Sequence, residues 1–207
     1  MNSVHGTNKR AEKRQRRHDE ILATALQIVV DTGLSGLSVH EIARRMDCAV
    51  GGLYRYFENK EAILVGLQDH AVERFSGHLD EETTGEGLER VLSAFFAWHS
   101  FAEVEPALYS LLDGALSDPS RQLSDDAARV VEGRLRELMA RCAEPLRQAQ
   151  DDGLLSPGDA RLRAYSLFAA MHGVEHFRKR DSYSEIRSAD VRQDLLISML
   201  RGWGAAI

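Results

Sequence analysis

The chain has 207 residues, 28% of them charged and 43% hydrophobic, with a formal net charge of −6, four prolines and two cysteines. That length buries a proper core as one or two domains. Two cysteines, Cys48 and Cys142, offer no disulfide framework, and no stretch approaches the ~20 consecutive apolar residues of a membrane span, so a reducing, cytoplasmic setting is expected.

The charge is unevenly spread. Residues 1–60 hold ten Lys and Arg against seven Asp and Glu, and residues 61–207 hold sixteen against twenty-five. A basic N-terminal part joined to an acidic remainder suits a phosphate-binding unit fused to one that does not touch nucleic acid. Abundant Ala, Leu, Arg and Glu with few β-branched runs predict helix throughout, about nine helices and no strands.

Residues 1–16 are basic without an apolar core to follow, which argues against a signal peptide. Six basic residues lie between Lys9 and Arg17. Alone, such a run reads as a solvated tail; ahead of a DNA-reading unit it reads as a flexible arm lying along phosphates or in the minor groove. The first helix is expected from Arg17 to Asp31, with Ile21, Leu22, Ala25 and Ile28 inward and Gly33 past its end.

The segment from Ser38 to Phe57, SVHEIARRMDCAVGGLYRYF, carries the most information. Ser38 with Glu41 three residues later is a capping-box pattern, and Val39, Ile42, Ala43 and Met46 make an apolar stripe at helical spacing. Asp47 tolerates the left-handed backbone that ends a helix. A second short helix then carries Leu53, Tyr54, Tyr56 and Phe57, and Asn59 caps a third. Two short helices joined by a tight turn form a helix-turn-helix, whose second helix enters a major groove.

Together with "ILATALQIVVDTGLSGLSVHEIA", "GGLYRYF" and "NKEAIL", the stretch from His18 to Gln68 resembles the N-terminal domain of the TetR family of bacterial transcription repressors. The resemblance covers about a quarter of the chain. It implies phosphate contacts from Ser38, Tyr54, Lys60 and the helix start after Asn59, in keeping with the anion preference of helix N-termini. It places Val50, Gly51, Gly52, Arg55 and Tyr56 against base edges, where only Arg55 is able to bind a guanine bidentately. The chain departs from the family in the turn, where Asp47-Cys48-Ala49 stands for Gly-Val-Ser. Ala49 removes a helix-capping hydroxyl worth about 1 kcal/mol. Gly51-Gly52 loosens the helix by up to ~1 kcal/mol each. Cys48 reads as a buried structural thiol.

Downstream, helices are expected over Lys60–His78, Leu88–Ala102, Pro106–Leu116, Ser120–Gln150, Asp159–Arg180 and Ala189–Trp203. Asp80–Gly87 forms a connection, and Pro119 and the Gly153–Gly158 region supply breaks. Phe95, Phe96, Trp98, His99, Phe101 and Tyr109 fall within fifteen residues. By the family analogy, Trp98, His99 and Tyr109 line a mostly apolar ligand pocket that His172 also reaches; read alone, these aromatics are ordinary core. The last two helices are apolar nearly all round. Leu162, Tyr165, Ala169, Gly173 and His176 recur on one face, Val191, Leu195, Met199 and Trp203 on the other helix's, as a homodimeric four-helix bundle requires.

His172-Gly-Val-Glu175-His176 spells H-x-x-E-H, a metallopeptidase pattern that short helical segments also produce by chance. With no further ligand recognisable in the sequence, neither a metal nor a cofactor nor catalysis is expected.

The reading is therefore an all-α protein with a basic arm (1–16), a helix-turn-helix domain (17–60, motif 38–57) and a helical ligand-binding and dimerisation domain (61–207). Its expected function is a homodimeric repressor that binds a palindromic DNA operator and answers a small apolar or amphipathic ligand. The alternatives are a regulator without small-molecule input and a metal-dependent hydrolase using His172, Glu175 and His176.

Overall fold

The computed structural model describes residues 4–117, 123–178 and 180–207, and among them every regular element is helical. The elements are α1 (Val4–Thr32), a 3₁₀ turn (Leu34–Gly36), α2 (Val39–Arg45), α3 (Val50–Leu53), α4 (Lys60–Glu82), α5 (Gly87–Val104), α6 (Pro106–Ser117), α7 (Asp125–Cys142), α8 (Glu144–Asp151), α9 (Ala160–Arg178) and α10 (Ser188–Gly202). Among the described residues no helix is long and apolar enough to cross a membrane.

The first helix begins at Val4, so the basic run expected ahead of it is instead its N-terminal extension. The physical reason is local. Residues 7–31 contain no Gly or Pro, and the exposed face carries Gln15–Asp19, Arg16–Glu20 and Gln27–Asp31 pairs at i,i+4. Gly33 then ends the helix region at φ 72°, a backbone state open to glycine at little cost.

The helix expected over Ser120–Gln150 is two helices. Its start lies outside the described residues. Ala143 closes α7 and opens α8, and Pro145, which has no N–H to continue the α7 ladder, stands just after the break. Counting α7 and α8 as one broken helix restores the expected nine among the described residues; counted separately they make ten.

One continuous apolar core runs through the molecule. In the N-terminal unit Ile21, Ala25 and Ile28 of α1 meet Ile42, Leu53 and Phe57. Helix α4 belongs to both halves. Its Ile63, Leu64 and Leu67 close the N-terminal core, whereas Ala71, Phe75 and Leu79 lie among α5, α6 and α7. Phe75 stacks on Trp98 of α5, which in turn meets Phe168 of α9 at 4.8 Å between centroids. Helix α10 packs on α9.

Candidate nucleic-acid interface and effector seam

The helix-turn-helix is assembled by capping and by three charge pairs. Ser38 Oγ accepts the Glu41 amide at 3.1 Å, opening α2. The reciprocal half of the expected capping box is not made, because the Glu41 carboxylate binds Arg44 at 2.7 Å and Arg45 at 2.9 Å instead. Hydrogen bonds from Arg44, then from Arg45, hold the Glu41 carboxyl down at about 2. Arg45 also pairs with Asp31, tying α2 to the end of α1.

Asp47 sits at φ 47°, the left-handed state read from the sequence, and turns the chain towards α3. Ala49 precedes α3 without any side-chain cap bond. The recognition helix is short: regular α-helix ends at Leu53, and Tyr54, Arg55 and Tyr56 form a turn rather than the expected helical continuation. An uncapped start followed by two glycines leaves little to propagate a longer helix. The segment is fixed by packing instead. Leu53 and Phe57 are buried, and His18 of α1 stacks on Phe57 with 4.5 Å between centroids.

On the outer side, Gly51, Tyr54, Arg55 and Lys60 are exposed, and Gly52 is partly so. Val50 and Tyr56 are half-buried against the core, so they offer edges rather than whole faces. Ser38 keeps its hydroxyl proton free to donate while its oxygen caps α2. Asn59 Oδ1 accepts the Ala62 amide at 2.8 Å, and Lys60 opens α4 beside it. All eight residues thus sit at the cap of α2, on α3, in the turn after it or at the start of α4.

Sequence reasoning missed one contributor to this surface: His40, exposed on the first turn of α2. Lys9, Arg10, Lys13 and Arg14, expected on a flexible arm, project instead from the solvent-exposed start of α1. Cys48 also differs from expectation. It is half-buried rather than buried.

The second cluster lies where α5, α6 and α9 meet. His99 Nδ1 is 2.7 Å from Glu175 Oε1, and Glu103 lies 3.6 Å from the other ring nitrogen. Arg178 stands 3.2 Å from Glu175, whose side chain is only 6% exposed, and Arg192 of α10 stands 3.9 Å from it. Burial, and then the charges of Asp113 and Glu175, push the Tyr109 phenol well above its ordinary value. His172 pairs with Asp113 and lies 3.4 Å from Ser117 Oγ.

Three of the four expected pocket residues, His99, Tyr109 and His172, therefore border one polar seam. Trp98 does not share it as an open wall. It is 2% exposed and packed between Phe75 and Phe168. Asp113, Arg178 and Arg192 had no sequence signal, since three separate helices bring them together. Glu175 of the H-x-x-E-H segment turns to His99 and the two arginines, away from a general-base position beside His172 and His176. In the seam, Asp113 Oδ1, His172 Nδ1, Glu175 Oε2 and Arg192 Nη1 are buried without an aligned hydrogen bond, despite the short charge separations. Buried polar atoms left so are uncommon, and a water, an ion or a ligand group would satisfy them.

Residues 21–67 match the family described as "Bacterial regulatory proteins, tetR family". The chain is 29% identical over 164 residues to the HTH-type transcriptional repressor NemR of Escherichia coli strain K12, spanning 69% of this chain and 80% of that protein. Its fold is similar to that of a protein of unknown function from Rhodococcus sp. RHA1, with a TM-score of 0.75 and 23% identity over 90% of this chain and 94% of that one. It is also similar in fold to AibR, solved in complex with isovaleryl coenzyme A and operator DNA, with a TM-score of 0.65 and 19% identity over 87% of this chain and 96% of that one.

Proposed function

We infer that this chain, which belongs to the TetR family of bacterial regulatory proteins, is a DNA-binding transcriptional repressor whose operator affinity is set by a small molecule held in the seam between α5, α6 and α9. The observation that carries the reading is helix α4. Its first residue stands at the exposed edge of the helix-turn-helix, and Phe75, about 22 Å further on, is locked to Trp98 at the margin of the seam. A ligand that favours one placement of α5 or α6 therefore favours one placement of the reading head.

The functional unit is a homodimer in the cytoplasm. Leu162 and Tyr165 of α9 are 64% and 36% exposed in the single chain, and Val191, Leu195, Met199 and Trp203 of α10 are half-buried, an apolar surface suited to a second copy. Two-fold symmetry matches a palindromic operator with half-sites about 34 Å apart. With Arg55 the one side chain in the turn able to read guanine bidentately, DNA shape carries much of the specificity.

The seam selects an amphipathic ligand: apolar packing from Phe168, and a polar end met by Tyr109, His99 and Arg178. AibR, a protein of similar fold, was solved in complex with isovaleryl coenzyme A and operator DNA, which supports this reading. Footprinting on the DNA upstream of the chain's own gene tests the reading. A protected palindrome, bound at least ~10³-fold tighter than random duplex, is expected; equal affinity for both duplexes would overturn it.

A further inference from the structure

We propose that Asp113, His172 and His176 form a binding site for a divalent transition metal of the zinc class, bridging α6 and α9. The three side chains offer ligand atoms that all lie within 4.8 Å of one another. The two histidines are one helical turn apart on α9, with ring centroids 4.5 Å apart, and Asp113 approaches from α6. Tetrahedral zinc with bonds of about 2.0–2.2 Å needs its ligand atoms roughly 3.3 Å apart. Side-chain rotations that part Asp113 from His172 and bring His176 inward reach that spacing.

Two further features point to a metal rather than to a plain ion pair. Asp113 Oδ1 and His172 Nδ1 are both buried and face each other, yet neither makes an aligned hydrogen bond. A cation between them would give each a partner. The outer nitrogens are already committed in the way that ligating imidazoles require. His176 Nδ1 lies 3.1 Å from the His172 carbonyl oxygen, a bond in which the nitrogen must donate, so Nε2 carries the lone pair. His172 Nε2 lies 3.4 Å from Ser117 Oγ, leaving Nδ1 for the metal.

Two imidazoles and one carboxylate suit zinc better than magnesium or calcium, which prefer oxygen alone. Three protein ligands leave a fourth position open. His176 is exposed, so that position faces solvent, where water or a donor atom of a ligand completes the tetrahedron. No hydrolytic role follows, because Glu175 is engaged by His99 and the arginines. The site shares His172 with the effector seam and rests on that reading only for its location; metal uptake and DNA binding are measured separately, so either fails alone.

The test is a titration of chelator-treated full-length protein with Co²⁺ and Zn²⁺, followed by absorbance and calorimetry. About one equivalent per chain is expected, with the visible spectrum of tetrahedral Co²⁺ that Zn²⁺ bleaches. His176→Ala, exposed and safe for folding, and the near-isosteric Asp113→Asn should each weaken uptake by ~10- to 100-fold or more. His70→Ala, on α4 and outside the cluster, should leave it unchanged. Uptake below a tenth of an equivalent by the unaltered protein would overturn the proposal. So would uptake unaffected by both ligand substitutions, or uptake that His70→Ala abolishes.

Discussion

The indole of Trp98 on α5 lies against the Phe75 ring of α4, with centroids 4.1 Å apart and planes inclined by 39°. Phe101 meets the same Phe75 ring edge-on at 5.2 Å, so α4 is held to α5 by three aromatic rings. Both partners of the first pair are buried. The contact makes Trp98 a joint between the two halves of the molecule rather than a ligand-binding wall.

Trp98→Ala should therefore act on stability first. Removing a fully buried aromatic from a packed site costs about 3–5 kcal/mol, whereas Trp98→Phe should cost less because the stacking face survives. Urea unfolding of the three proteins measures this directly. A double substitution with Phe75→Leu should be less destabilising than the two single changes added, with a coupling of about 0.5–1.5 kcal/mol. Strict additivity would mean that the stack contributes nothing beyond burial.

The recognition helix should be improvable. A Cβ built on Gly51 or Gly52 meets nothing within 4 Å, and Ala49 provides no cap. Gly51→Ala and Gly52→Ala should each stabilise the segment by up to ~1 kcal/mol, and Ala49→Ser by about 1 kcal/mol. Amide exchange over residues 50–57 would register the slower opening. No change in exchange would show that Leu53 and Phe57 packing alone sets its stability.

These particulars show what the residues disclosed in advance. Ser38, Asp47 and Asn59 act locally, through caps and one left-handed residue, so their roles were legible and recur in the structure. The beginning of α1 was misread because a basic run looks alike whether solvated as tail or as helix. Arg45 was unreadable for a different reason: its partner Asp31 is fourteen positions away on another helix. The same holds for the seam, where His99 meets Glu175 across seventy-six positions. Spacing along one helix reports neighbours at three and four residues, and says nothing about which helix lies opposite.

Glu41 gives a pH signature. Its carboxyl is held at about 2 by Arg44 and Arg45, below an ordinary 4.5. A depressed value means stabilisation that is fully present above the ordinary value and lost as pH falls from about 4.5 through 2. Glu41→Gln should lower the melting temperature at neutral pH, and the difference should shrink across that acid range. Because the pair is exposed, added salt should shrink it too. A difference independent of pH would show that Glu41 acts through packing alone.

The basic start of α1 should tune DNA affinity rather than specificity. Lys9, Arg10, Lys13 and Arg14 are exposed and carry no ion pair among the described contacts. If they lie along phosphates, replacing all four with Ala lowers the slope of log K against log salt by up to ~3.6, at about 0.9 per contact. Fluorescence anisotropy across a salt series reads the slope for operator and random duplex alike. The loss should be similar for both, since phosphate contacts carry no sequence information. An unchanged slope would mean that this end of α1 points away from the duplex.

The dimer prediction joins both halves of the molecule. Leu162 stands 64% exposed and Tyr165 36% exposed on the α9 face that also carries Ala169 and Gly173. Sedimentation at micromolar concentration should give twice the 23.1 kDa chain mass. Leu162→Glu together with Tyr165→Glu places two charges where a second copy would seat, and burial of an unpaired carboxylate is costly enough to split the pair. The single-chain fold should survive, because neither side chain belongs to the buried core; far-ultraviolet circular dichroism checks this. DNA binding is the more telling readout. Two linked heads gain ~10²- to 10⁴-fold in avidity over one, so operator affinity should fall by that much while random-duplex affinity falls far less. A double variant that stays dimeric would move the interface elsewhere. One that is monomeric yet binds the operator with full affinity would mean that a single head suffices.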